Sequence, residues 1–543
     1  MTNRALSTTP FPFLLLWGYW VLAIFGAWSF ASGQASSSAE PEGAEQDTAR
    51  TLYVQEYRVV GAQKLDRRAV EKAVYPYLGP ERTPEDVDQA RAALEKAYRD
   101  QGYQTVSVLI PQQKVKKGVI ILEVVEATVG RLRVHGSRYY DIERLKKKAP
   151  SLAEGTVPNF KDVSRDIVAL NRQPGLRVTP ALRAGLIPGT VDIDLNVEDE
   201  RPFHGSLEVN NFYAQNTSPW RLSGSLSYNN LWQLGHIIGA SFQIAPERLD
   251  DSEVYSGYYV APIPGWDDWT LTLQGSVQNS LVAAQTDATS IGIGDVIGFR
   301  LNANLPQGDG FVHSVSFGLD RKSFASSLII ADIPFDPPIT YYPISLEYSA
   351  NWLEKKHSTS FNGGFHFSLP GTANEEDFAN KRFNADAGFF YFRGDLSHTH
   401  DLAGGLQAFG KLQGQYSPVP LIVNEQFSAG GVGTVRGYLQ PAVVSDNGAA
   451  ATFELRSPSL LKAQDEGKNE WRFHVFLDAG YLTVNDPLPE QTSHFSLASA
   501  GAGTRFRVFD HFSGSLDAGI PLIQQGVTDV GEVLFSIRFM ADF

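Results

Sequence analysis

The chain has 543 residues, with a formal net charge of −14 and 60 acidic against 46 basic side chains. That balance argues against a nucleic-acid partner, because phosphate binding needs concentrated Lys and Arg. It has no cysteine, which rules out a disulfide framework, a thiol nucleophile or a cysteine-based zinc site.

Residues 11–31, FPFLLLWGYWVLAIFGAWSFA, carry no charge and are preceded only by Arg4 and followed by the small-residue stretch SGQASSSAE. The segment 1–35 therefore reads as a secretory signal peptide, cut near Gly33 or Ala35. An uncleaved inner-membrane anchor is the alternative, since about 20 apolar residues span a bilayer. Residues 36–51 form a polar tail rich in Ser, Ala and Glu.

Two modules follow. In the first, 52–126, LYVQEYRVVG reads as a strand and DRRAVEKAVYPYL as a helix. TPEDVDQARAALEKAYRDQGY is the strongest helix in the chain: Val87, Ala90, Leu94, Ala97 and Tyr98 keep the 3.6-residue period. Thr83 is placed to cap it, with Pro84 at the first helical position, Asp86 closing a capping box and Gly102 ending it. TVSVLIP and GVIILEVVEA are two strands split by QQKVKKG. The same order returns in 127–200 as GRLRVHG, YDIERLKKKAP, NFKDVSRDIVALNRQPG, RVTPALRAG and TVDIDLNVEDE. The N-terminal third is thus a βααββ tandem of α+β modules.

From 201 to 543 helical periodicity disappears and short runs alternate with period two, as in RLSGSLSY, HIIGASFQI, FVHSVSFGL, WRFHVFLDAGY and GEVLFSIRFMADF. In the last run Val533, Phe535, Ile537, Phe539 and Phe543 share one face, and Glu532, Ser536, Arg538 and Asp542 the other. Aromatics on one side and charges on the other define a lipid face and a lumen. The prediction is an all-β transmembrane barrel of about 16 antiparallel strands, at about 9 to 11 residues per strand plus turns. A soluble β-sandwich or propeller would alternate similarly and is the competing architecture.

On WRFHVFLDAGY, Asp478 shares parity with Arg472, His474 and Gly480, opposite Trp471, Phe473, Val475 and Ala479, and so faces the lumen. Asp517 in GSLDAGIPL is a second candidate inward acid. GGVGTVRGYLQP carries glycines at 430, 431, 433 and 437, which let a backbone turn sharply and pass close to a wall. His398 and His400, in the turn-like DLSHTHD, lack a third ligand and read as solvated, so no metal is expected. Neither G-x-S-x-G nor a phosphate-binding glycine loop occurs, and no enzymatic constellation or cofactor is expected.

Two βααββ modules ahead of a barrel, together with the VRGY of Val435, Arg436, Gly437 and Tyr438 and the FLDAG of Phe476, Asp478 and Gly480, resemble the POTRA-plus-barrel superfamily. The chain is most similar there to the two-partner secretion transporters (TpsB proteins) that export haemolysins and filamentous haemagglutinins. LNRQPGLRVTPALRAGLIPGTVDIDLNVED resembles that family's second POTRA domain, and the likeness covers about 52 to 543. It implies a Gram-negative outer-membrane location with periplasmic POTRA domains, and a loop of about 417–448 folded into the lumen. There Arg436 would pair with Asp478, with Asp517 as a second acid, since a confined arginine needs a carboxylate.

The resemblance also implies export of a large, unfolded, β-helical partner protein, docked first on POTRA sheet edges and passed through the pore without ATP. Outer-membrane lipid, periplasmic chaperones and barrel-assembly machinery would be further partners. A barrel-assembly factor and a passive porin are the alternatives. Residues 34–51 are too short and polar to supply the plug helix and linker that members of the family can carry.

Overall fold

In the computed structural model, residues 51–280, 292–324, 329–330, 333–334, 338–461 and 469–543 are described. The expected signal peptide, and the polar tail up to residue 50, lie outside them. The chain divides after Pro202 into two compact units.

The first unit holds the two modules. Thr83 caps the helix Pro84–Asp100 through the reciprocal box with Asp86, and its apolar stripe, Val87, Ala90, Leu94 and Tyr98, is buried. It packs on a three-stranded sheet in which Val119–Glu126 lies between the parallel Glu56–Val60 and the antiparallel Val106–Leu109. The expected strand LYVQEYRVVG is two pieces, Leu52–Val54 and Glu56–Val60. The first pairs with a short strand, Gly79–Arg82, which its Gly-Pro-Glu-Arg sequence does not advertise. In the second module Thr190–Asp199 lies between Thr128–His135 and Leu176–Ala184, with helices Ile142–Lys147 and Phe160–Asn171 on one face.

The modules are joined at a helix end. Gly102, at φ +103°, accepts a hydrogen bond from the Phe160 amide, and the Asn159 side chain donates to the Gln101 carbonyl at 3.0 Å. A Cβ at Gly102 would fall 2.4 Å from Asn159 Oδ1, so the joint needs glycine on both counts. The Tyr98 hydroxyl donates to Glu126 at 2.8 Å, and burial together with that carboxylate raises its pKa.

The second unit, Phe203–Phe543, is a closed antiparallel barrel. Ile339–Tyr341 and Pro343–Leu353 both pair with Phe311–Phe324 and make one bent strand, so the circuit counts sixteen strands among the described residues. It closes where Leu534–Asp542 pairs with Phe203–Asn210, from Arg538 opposite Asn210 to Asp542 opposite Ser206. Alternation is strict along Glu470–Thr483. Trp471, Phe473, Val475, Leu477 and Tyr481 are exposed on the outer face, while His474, Phe476 and Asp478 are buried within.

Two sequence expectations need correction. The barrel unit is not free of helix: Glu375–Lys381, capped by Asn374, forms one turn-rich segment that buries Phe378 against Tyr341 and Phe389. Seven residues are too few for a period to show. His398 and His400 do not sit in a loop. They continue the alternation of the strand Phe390–Asp401, and both rings lie about 6 Å from that of His357.

Candidate functional site in the barrel lumen

The strands Gln407–Tyr416 and Asn447–Arg456 are neighbours in the wall, and the chain between them folds back inside. Phe427–Ala429 pairs with Val443–Ser445 to give a hairpin, whose tip carries Val435 to Tyr438. Gly430, Gly431 and Gly437 all have φ between 85° and 107°, so the tip reverses in conformations that side-chain-bearing residues avoid.

Arg436 is buried, and its guanidinium is held on three sides. Nε and Nη2 donate to the two oxygens of Asp478 at 2.8 and 2.9 Å, and the Arg436 backbone amide adds a third bond at 3.1 Å. Nη1 donates to Glu454 at 2.7 Å and, longer, to Asp517 at 3.5 Å. The Phe476 ring centroid lies 3.5 Å from the guanidinium carbon, a stacked cation–π contact. The predicted pair is therefore part of a larger cluster. Asp517 also accepts from His474 at 2.6 Å, and Glu454 is shared with Arg505 and Arg456.

Glu454 is the acid partner of Arg436 that sequence reasoning missed, although the signal was present. On ATFELRS, Phe453 and Leu455 are exposed outward, so Glu454 must face in by the rule that placed Asp478. Around Asp478 the division of labour is sharp. Glu454 keeps two other arginines and Asp517 keeps its histidine, but among the described residues both Asp478 oxygens are bonded by Arg436 alone.

The remaining motif residues make room for the tip. Val435 Cγ2 sits 3.1 Å from where a Cβ on Gly480 would be, so the last glycine of FLDAG is a socket. Gly519 is a second one, unmarked in the sequence reading: its Cβ would lie 2.5 Å from the Gly437 nitrogen. Tyr438 is buried, and its hydroxyl lies 2.6 Å from the Ile523 carbonyl and 3.0 Å from that of Ala498. Against a different part of the wall lies a cavity of about 400 Å³, whose lining mixes polar Ser256, Gln274, Asn302, Asp320 and Arg393 with apolar residues such as Val296.

A closed sixteen-strand barrel with an apolar exterior, an in-folded loop pinned by a buried charge cluster, and an N-terminal βααββ tandem define a POTRA-bearing outer-membrane β-barrel. Residues 189–506 match the haemolysin secretion/activation protein family ShlB/FhaC/HecB, and residues 52–127 match the ShlB-type POTRA domain. The chain belongs to that family of two-partner secretion transporters: its barrel lies in the outer membrane and its POTRA domains in the periplasm. It is 22% identical over 377 residues to the outer membrane transporter CdiB of Dickeya dadantii (strain 3937), a match covering 69% of this chain and 66% of that one. With CdiB of Escherichia coli O6:K15:H31 (strain 536 / UPEC) it shares 24% identity over 478 residues, covering 86% and 78%. The solved CdiB from Escherichia coli superposes with a TM-score of 0.62 at 21% identity, covering 93% of both chains. BamA from Haemophilus ducreyi lacking POTRA domains 1–3 does so at 0.56 and 15%, covering 91% of this chain and all of that one, a likeness of fold alone.

Proposed function

We propose that the protein exports a large, unfolded partner protein from the periplasm to the cell surface, and that the Arg436 cluster latches the in-folded loop in the resting channel. The observation that carries the reading is the loop's place in the lumen: the chain between the wall strands Gln407–Tyr416 and Asn447–Arg456 folds inside the barrel, and its tip is bonded to Asp478, Glu454 and Asp517 on three wall strands. The loop must shift for a polypeptide to pass.

The POTRA sheet suggests where a partner docks. On one side of the central strand the Gln113 side chain satisfies both the amide and the carbonyl of Ile121, at 2.7 and 2.9 Å, and Glu95 accepts from the Val108 amide. The opposite edge, Glu56–Val60, has no strand beside it among the described residues. An extended segment of the partner adds there as a further strand, its backbone supplying affinity. The chain carries no phosphate-binding motif, so transport draws on the partner, whose folding outside the cell makes passage one-way. Co-expression with its cognate secreted protein tests this. Surface delivery should depend on the transporter, and a photo-crosslinker at Val60 should capture the partner in transit. Retention of the partner in the periplasm beside a correctly inserted barrel would overturn the transport reading.

A further inference from the structure

We propose that Glu425 is a second anchor of the in-folded loop, independent of Arg436, and that it holds the cavity-facing side of the hairpin against the wall. The inference rests on the reading of the loop as the element that closes the channel. Glu425 lies two residues before the hairpin strand Phe427–Ala429 and is 1% exposed. A carboxylate so deeply buried is tolerated only when its lone pairs are filled. Lys322 Nζ and the Tyr341 hydroxyl donate to Oε1 at 2.6 and 2.5 Å, and the Tyr391 hydroxyl to Oε2 at 2.8 Å. Backbone contacts reinforce the fix: Gln415 donates to the Glu425 carbonyl at 3.0 Å and Arg393 to that of Gln426 at 3.2 Å.

The other limb of the hairpin is fixed at the matching point. Asp446 follows Val443–Ser445 directly and is fully buried. Arg382 grips both its oxygens, and the amides of Leu421 and Asn485 donate to it at 2.8 and 2.7 Å. The hairpin is thus clamped at its base as well as its tip.

The two ends use different parts of the wall. In circuit order the donors to Glu425 come from the seventh, eighth and tenth strands, and the acceptors of Arg436 from the twelfth, thirteenth and fifteenth. Lys322, Tyr391, Arg393 and Phe427 also line the cavity, whereas Arg436 and Asp478 do not. Loosening Glu425 therefore widens the cavity while the tip stays seated.

The test uses the full-length protein in planar membranes, with heat-dependent gel mobility reporting the folded barrel and Val435→Cys labelling reporting the tip. Glu425→Gln should raise the mean conductance and leave Val435→Cys labelling at the parental rate, the reverse of the ranking for Arg436→Ala. Parental conductance in a folded Glu425→Gln barrel would overturn the proposal. So would labelling accelerated as far as in Arg436→Ala, because the loop would then move as one unit. Should Glu425→Gln not assemble, Tyr391→Phe removes one donor and keeps the charge. A smaller rise is then expected, and its absence overturns the proposal equally. Conductance needs no partner protein, so failure of the transport reading would show separately, as a secretion defect of the parent.

Discussion

Consider Arg436→Ala. The substitution removes both guanidinium bonds to Asp478 and leaves that buried carboxylate only the backbone amide of residue 436, while Glu454 and Asp517 keep Arg456, Arg505 and His474. Removing one partner of a buried ion pair costs about 3 to 5 kcal/mol, most of it the stranded charge. Applied to a local equilibrium in which the tip leaves its socket, and at about 1.4 kcal/mol per tenfold, the open population should rise by about two to four orders of magnitude. The chain's lack of cysteine makes this measurable. Val435 is fully buried in the latched tip, so in a Val435→Cys background maleimide labelling reports opening directly. Arg436→Ala should accelerate labelling towards that range, and a double-mutant cycle should give stronger coupling for Arg436 with Asp478 than with Glu454. Equal labelling in parent and variant, with both barrels folded, would refute the reasoning: the tip would then be held by packing and not by charge.

Gly519→Ala should unseat the tip, since the new methyl falls 2.5 Å from the Gly437 nitrogen, whereas Gly410→Ala, with nothing within 4 Å, should behave as parent in the same labelling assay. Tyr438→Phe removes the hydroxyl shared between two carbonyls and should weaken the latch by about 1 to 3 kcal/mol, seen as a smaller rise in labelling than for Arg436→Ala. Thr83→Ala deletes the cap of the main POTRA helix and should cost that unit about 1 kcal/mol in denaturant unfolding. The backbone bond from Thr83 holds Asp86 below the ordinary carboxylate range. A depressed folded value stabilises above the unfolded value, so this contribution is complete at neutral pH and lost as pH falls below about 4. Parental acid sensitivity in a variant that breaks the box, such as Asp86→Ala, would contradict it.

How much of this was legible depended on how local the cause was. The helix Pro84–Asp100 announced its start, stop and buried face, because a cap and a 3.6-residue stripe are decided within a few turns. Inward-facing Asp478 was readable because a strand's alternation is local too. Glu454 obeyed the same parity and was overlooked for want of a motif around it. Glu425 could not have been read in this way. Its three donors lie 103, 84 and 34 residues away, and only the register of separate strands brings them to one carboxylate. Gly519 is similar: nothing in DAGIPL says that another glycine's backbone lies against it.

The cavity wall has one more consequence. Ser256, Ser276, Gln278, Asn302, Ser314 and Ser316 give much of it short hydroxyl and amide groups. Such groups exchange partners with water or a peptide bond at nearly equal free energy, so this stretch holds a chain less tightly than the charged stretch of Arg300, Asp320, Lys322, Glu347, Arg393 and Asp395 beside it. Under the proposed export, the hydroxyl and amide stretch would be indifferent to the order of residues sliding over it. Selectivity in that export would fall to whatever grips the partner before it enters the lumen and to the charged stretch of the wall.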